Sequence, residues 1–425
     1  MTSLRTKITG SWHLVRDYMT ALSGAAGRMV ISLFYFVALA NSLSVADFGL
    51  FATASATGIV LSRIVGFGFT SPLYRIATVK PRLIGVYAAG YLLFSAISLP
   101  FFVLAAYFCY RVFFGQTLSL LTFALIVMTE ALLWRTLEVI LIANNGMNRF
   151  GRASTLVMIG SALRALAAVG FAFTVARDID HWAQYYLVAN ALGLLVGILF
   201  FMPKAKLRLV LPVYRRHIAD SLSVAGAEIL FYIQSELDKL LVLALGGAET
   251  AGVYAIIMRL VDLTAIPIRT FNMMLVQRLM RNGSLLSSLK QKVSMEVALF
   301  AISTIGFCGL AIFLKIFPNA LGHNVAGATN LLFLVFLVPG FRNLVEYQAE
   351  LLYASRQTVL RALNLAMLAG VKAVLLAYIF LNAFDQATWL RDLNIAYGLI
   401  WLASGLLTYS AIRRKALRDE LPELP

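Results

Sequence analysis

The chain lacks much of what soluble domains and enzymes rely on. Charged residues are only 13% of its 425 residues, against about 25% in a soluble globular protein. It has 2 cysteines, Cys109 and Cys308, and 4 histidines, all scattered. That excludes a disulfide framework and gives no metal site at ligand spacing. No glycine-rich phosphate loop is present, so no ATPase is built in. No long polar segment separates the apolar runs, which leaves no room for an extramembrane catalytic domain. The chain is therefore read as no enzyme, and an integral glycosyltransferase or lipid-modifying polymerase is disfavoured.

What is abundant is apolar. Hydrophobic residues make up 60% of the chain and the mean hydropathy is +0.83. This is the composition of an all-α, polytopic integral membrane protein. The basic excess, 36 Lys and Arg against 20 Asp and Glu, belongs to cytoplasmic loops rather than to a nucleic-acid surface.

About 20 apolar residues cross a bilayer as a helix. On that rule the sequence predicts about twelve spans: 25–43, 48–73, 83–108, 117–143, 154–176, 182–203, 218–245, 252–275, 293–317, 328–352, 362–383 and 393–411. The intervening loops differ in charge. One set carries Arg75, Lys80 and Arg82, then Arg149 and Arg152, then Lys204, Lys206, Arg208, Arg215 and Arg216, with further cations in 276–292, 353–361 and both termini. The opposite set holds only Arg111, Arg177, Arg391 and, marginally, Lys315. The rich side is expected to be cytoplasmic, with both termini on it. Trp182 and Trp389 then fall near the outer interface, where aromatic belts sit. Within residues 1–24, Ile8, Trp12, Val15, Met19 and Leu22 recur at helical spacing. That predicts an amphipathic helix on the cytoplasmic surface; a disordered tail is the alternative.

The halves echo each other. "SVADFGLFATASA" aligns with "GAETAGVYAIIMR", pairing Gly49 with Gly252, Phe51 with Tyr254 and Arg75 with Arg278. Each motif lies at an outer turn between the first and second span of a six-span half. The expected organisation is a cytoplasmic segment 1–24, an N-lobe 25–203, a linker 204–217, a C-lobe 218–411 and a tail 412–425. Six spans per half make the repeat parallel.

These motifs resemble the polysaccharide exporters of the multidrug/oligosaccharidyl-lipid/polysaccharide superfamily, in the Wzx-type flippase branch. "SLSVADFGLFATAS" is similar to that branch's first outer turn. "DKLLVLALGGAETAGVYAIIMRL" is similar to its seventh and eighth spans. The resemblance implies two six-helix lobes in a V around a central cavity. It implies alternating access that flips undecaprenyl-diphosphate-linked oligosaccharide, a precursor of O-antigen, capsule or exopolysaccharide, from the inner to the outer leaflet of a bacterial inner membrane. The implied partners are that substrate, membrane lipids and polysaccharide polymerase or assembly proteins, with no nucleic acid. A multidrug cation antiporter of the same superfamily and a lipid II flippase remain alternatives. The chain lacks the two extra C-terminal helices of the peptidoglycan-precursor flippases, which counts against lipid II.

Ionisable residues inside spans are functional candidates because each costs a few kcal/mol to place there. Arg63 stands near the middle of "FATASATGIVLSRIVGFGFTSPLYR" with no acid in its own span. Its partner must come from another helix, from water or from a ligand. Spacing instead suggests local pairs for Arg135 with Glu138, Arg259 with Asp262, Glu236 with Lys239, and Arg342 with Glu346. The resemblance assigns arginines of the first, second and eighth spans to the substrate diphosphate; those spans hold Arg28, Arg63 and Arg259. A guanidinium stays charged and grips phosphate oxygens in a fork. Arg269, Asp262, Arg342 and Glu346 are candidates for a cavity charge network. Asn41, Gln234, Asn272 and Gln348 are candidate sugar contacts. No cofactor or metal is expected. Glu130, Glu228 or Asp238 could couple H+ or Na+, or the membrane potential alone could drive an anion outward.

Overall fold

The structure is a computed structural model. It describes residues 27, 29–281, 289–355, 357–383 and 385–420, without the side chains of 273, 274, 276–281, 289 and 414–420. The amphipathic segment expected over 1–24 and Arg28 lie outside these residues. The described chain is helical, with no strand among the described residues.

The helices run α1 (Met29–Ser42), α2 (Val45–Leu61), α3 (Thr70–Val79), α4 (Ile84–Cys109), α5 (Leu120–Met128), α6 (Arg135–Gly146), α7 (Phe150–Ala172), α8 (Ile179–Val196), α9 (Leu211–Arg215), α10 (Ile218–Arg281), α11 (Leu289–Ile316), α12 (His323–Ala328), α13 (Val338–Ala354), α14 (Thr358–Asn382) and α15 (Gln386–Glu420). Among the described residues, seven stretches are long and apolar enough to cross a membrane. An eighth arises if His323–Val335 and Val338–Ala354, bent by 69°, form one broken span. The remaining predicted spans are α1, the broken pair α2 and α3, α5 continued into α6, and the second part of α10. That helix is two helices meeting at Gly247, whose φ of 79° and ψ of 177° interrupt the ladder. Only glycine adopts such a conformation readily.

Local chemistry sets several helix starts. Ser44 caps α2 by accepting from the Asp47 amide at 3.0 Å, and Ser119 caps α5 through Thr122 at 3.1 Å. Asp178 does the same for α8 through His181 at 2.9 Å. Each removes one of the orphan amides at a helix N-terminus.

The second span departs from its sequence reading. A continuous helix is predicted over 48–73, yet the chain leaves α2 at Leu61 and re-enters helix only at Thr70. Gly66, Phe67 and Gly68 all have positive φ, at 79°, 45° and 70°. A methyl group on Gly68 would stand 2.2 Å from the Ser221 carbonyl oxygen, and one on Gly66 would meet the Tyr91 ring at 2.6 Å. Both glycines thus serve conformation and close approach together. The freed Gly66 amide donates to the Ser98 hydroxyl at 3.0 Å, in a buried setting. Irregular backbone survives inside a membrane protein only where such partners exist.

Residues Ile31–Ala255 pack as one compact unit, and the described residues from Ile256 onward, with those described before Ile31, as another. The first unit has a core of Phe69, Leu73, Ile84, Tyr87, Tyr91 and Tyr214 among others, and a smaller one of Leu137, Ile140 and Leu156. Gly49 and Gly252, the paired glycines of the repeat, meet inside it. A methyl on Gly49 would lie 2.4 Å from the Gly252 nitrogen, and one on Gly252 would lie 1.9 Å from the Val45 carbonyl oxygen. Trp182 is also interior, fully buried against Phe51, Phe171 and Tyr186. Trp389 is buried beside Phe380. Neither ring belongs to an exposed aromatic belt, because packing against other rings outweighs an interfacial position. The second unit is centred on Ile268, Leu299, Leu344, Tyr347 and Leu351.

Candidate functional site: two balanced charge clusters

Arg63 sits just past the C-terminus of α2, where the helix opens into the glycine turn. Its partner comes from another helix. Nη1 lies 3.1 Å from Glu138 Oε2, and the same carboxylate oxygen receives Arg135 Nη1 at 3.1 Å. Arg135 Nη2 reaches Glu228 on α10 at 2.9 Å. The Tyr232 ring, one turn along α10 from Glu228, lies 4.1 Å beneath the Arg63 guanidinium. That geometry is a cation–π contact, strongest where water is excluded.

The four ionic groups balance, two cations against two carboxylates. They differ in access. The arginine side chains are 6% and 2% exposed, while Glu138 and Glu228 are 25% and 31% exposed. The carboxylates are the more accessible members of the cluster. The Nε atoms of Arg63 and Arg135 are buried without a hydrogen-bond acceptor among the described residues. The cluster therefore retains buried donor capacity.

Above it in sequence, the helical ladder between α5 and α6 widens into a π-turn over Thr129–Trp134. Such turns interrupt helices frequently at functional sites. Glu130, the coupling candidate, lies in that turn and is buried. It accepts from Ser55 at 2.7 Å and from Tyr186, with Arg164 at 3.7 Å. Arg164 is itself held by Asn190 at 2.8 Å and lies 3.8 Å over the Trp134 ring. Asp238, the third coupling candidate, is buried and accepts from the Tyr254 hydroxyl at 2.5 Å. Arg135 with Glu138 and Lys239 with Glu236 form the pairs read from their spacing.

The second unit holds a similar quartet. Asp262 receives Arg342 at 3.2 Å and Arg269 at 3.5 Å, and Arg269 Nε reaches Glu346 at 3.0 Å. These four are the residues expected to form a charge network, and they are together. Arg259 is half-buried in the same unit. The sugar-contact candidates lie in both units, Asn41 and Gln234 in the first and Asn272 and Gln348 in the second. Asn41 donates to its own helix at Val37, 2.7 Å away, and Gln234 is half-buried on α10. Asn272 is buried with its amide unpartnered among the described residues.

Gln348 leads to a group the sequence reading passed over. It donates to Glu296 at 2.8 Å. Glu296 also accepts from the Tyr409 hydroxyl at 2.6 Å and the Trp401 indole at 3.3 Å. This buried carboxylate thus gathers three neutral donors from α13 and α15. The available signal was an acid one turn inside the predicted span 293–317. Tyr232 was equally unmarked, since an aromatic residue in an apolar run carries no distinguishing pattern.

No family model matches the chain, and no curated protein matches it in sequence. Solved structures do match. An inward-facing multidrug resistance MATE family transporter of the MOP superfamily superposes with a TM-score of 0.69 at 15% identity, covering 92% of this chain and 95% of that one. A MOP superfamily transporter from Pyrococcus furiosus gives 0.62 at 12% identity, covering 93% and 94%. The outward-facing conformation of a multidrug resistance MATE family transporter gives 0.54 at 14% identity, covering 96% of each. Across nearly its whole length, then, the chain has the fold of these MOP superfamily transporters, with their helical architecture of about twelve helices.

Proposed function

We propose that the protein is a transporter that flips a lipid-linked oligosaccharide between leaflets by alternating access of two six-helix lobes, 25–203 and 218–411. Arg63 carries this reading. It is a buried cation at a break in a span, which is where transporters of several folds place their substrate sites. Its buried, unaccepted Nε and the neighbouring Arg135 supply forked donors suited to a diphosphate. Arg63 and Arg259, with Arg28, hold the diphosphate. Glu138 and Glu228 act as internal counter-ions. They neutralise the arginines while the site is empty and yield them when the substrate anion arrives. Protonation of the displaced carboxylates would couple transport to H+. Polar groups such as Asn272 contact the sugars. The membrane is the bacterial cytoplasmic membrane, with the basic loops and both termini inside.

A second reading is a multidrug antiporter. The greater exposure of the carboxylates favours it, because an organic cation would meet Glu138 and Glu228 before the arginines. Reconstitution separates the two. Proteoliposomes holding the purified protein and a polyprenyl-diphosphate oligosaccharide are expected to move that lipid to the opposite leaflet, read by its exposure to an added glycosidase. Proton-driven uptake of organic cations with no movement of the lipid would replace the first reading by the second.

A further inference from the structure

A second cationic feature lies apart from the arginine quartets. It is a cavity of about 790 Å³ within the first unit, lined by the start of α4, the turn before α7 and the segment after α8. Six cations line it: Arg82, Arg149, Arg152, Lys204, Lys206 and Arg208. No carboxylate lines it, and none of the six forms an ion pair among the described residues. All six are exposed. Elsewhere on the basic loops Arg75 is paired, to Asp220 at 2.8 Å, so the lack of acids is local.

The cavity wall is fastened. The chain at Lys206 lies directly on α4, where a methyl at Gly85 would meet its carbonyl oxygen at 2.3 Å. The Tyr214 hydroxyl donates toward the Val86 and Arg208 carbonyls at 2.8 and 3.0 Å and accepts from the Val210 amide at 3.1 Å. Buried Asn144 donates to the Phe201 carbonyl at 3.0 Å, and Arg152 to that of Phe200. Like charges that repel one another are thus held together by contacts in which, of the six, only Arg152 takes part with its charged group. An anion bound among them would offset that repulsion.

The surroundings specify what kind of anion. Leu83, Leu199 and Phe200 line the same cavity and are exposed, Phe200 by 65%. Leu207, Leu209 and Phe150 beside it are exposed too. Cations interleaved with exposed apolar side chains, at the end of a helix apolar enough to cross a membrane, match the headgroup region of a bilayer. We propose that this cavity binds the phosphate headgroup of an anionic membrane phospholipid, its acyl chains lying along the Leu199–Phe200 side. The site stands independently of the transport reading, since none of its residues belongs to either arginine quartet.

The test uses the full-length protein in neutral detergent micelles, titrated with phosphatidylglycerol, phosphatidylcholine, a polyprenyl diphosphate and inorganic pyrophosphate. Retained lipid is counted by native mass spectrometry. Phosphatidylglycerol should bind at least tenfold more tightly than phosphatidylcholine. Each cation removed should weaken it about fivefold, so Lys204→Gln with Lys206→Gln should lose more than tenfold. Lys290→Gln, which removes an exposed cation outside the cavity, should change nothing. Tyr214→Phe keeps all six charges but frees the wall, and should also weaken binding. Equal retention by the double variant and the parent would overturn the proposal. So would pyrophosphate binding as tightly as phosphatidylglycerol, which would mark a soluble-anion site. A tenfold preference for the polyprenyl diphosphate would likewise overturn it, in favour of a substrate entry site.

Discussion

Glu138 Oε2 lies 3.1 Å from Arg63 Nη1 and 3.1 Å from Arg135 Nη1, so one carboxylate oxygen holds an arginine of its own helix and one from the turn after α2. Removing its charge leaves Arg63, among the described residues, with the Tyr232 ring as its remaining electrostatic partner, while Arg135 keeps Glu228. Glu138→Gln should destabilise the protein by about 1–3 kcal/mol, since a charge is left buried without its partner. Adding Arg63→Gln should recover part of that loss. Thermal unfolding of the two single variants and the double variant in detergent gives the coupling, expected at about 0.5–3 kcal/mol. Additive losses would show that the two groups do not interact.

The glycine turn makes a different prediction. Gly68→Ala adds a methyl against the Ser221 carbonyl and sits at φ 70°. Overpacking costs about 1–3 kcal/mol, and the left-handed conformation adds about 1–2 kcal/mol. The variant should show sharply reduced thermal stability. Gly226→Ala, on α10 with open space around it, should be near neutral. Equal stability of the two variants would mean the span is continuous.

Glu296 yields a third. All three of its described partners donate, so Glu296→Gln must either turn an amide NH2 toward the Trp401 indole, which cannot accept, or make Gln348 and Tyr409 turn from donors to acceptors. The mismatch should lower stability by about 1–3 kcal/mol, read as a shift in the thermal unfolding midpoint. Tyr409→Phe, which removes one donor and leaves two, should cost less. A larger loss for Tyr409→Phe would put the weight on the Tyr409 hydroxyl alone rather than on the carboxylate's set of three donors.

Much of this was visible in the sequence, because bilayer thickness makes helices announce themselves as long apolar runs. The predicted spans from 83 to 203 correspond to α4 through α8 with shifts of a few residues. The paired motif at Gly49 and Gly252 was visible as a repeat. Only the structure shows that the two glycines touch, since contact between residues so far apart in sequence is a tertiary fact. The break that holds Arg63 left no such mark. Apolar composition alone cannot separate a continuous helix from one interrupted by "GFG", because both fill the same hydrophobic window. The same holds for Arg63 itself. Its burial was readable from position, but Glu138 was assigned to Arg135 by spacing, and sharing with a second arginine leaves no mark in one strand of sequence. The sugar-contact candidates rest on residue type alone, which carries no periodicity to mark a shared face.

The account turns on Arg63 gripping a phosphate rather than only joining helices, and one comparison tests it. Parent, Arg63→Lys and Arg63→Ala proteins are reconstituted at equal density, and flipping of a polyprenyl-diphosphate oligosaccharide is timed. A lysine keeps the charge opposite Glu138 but loses the fork. If Arg63 grips the diphosphate, Arg63→Lys should fold normally yet flip at least tenfold more slowly, and Arg63→Ala should not flip at all. Parental rates in a stably folded Arg63→Ala protein would contradict the account.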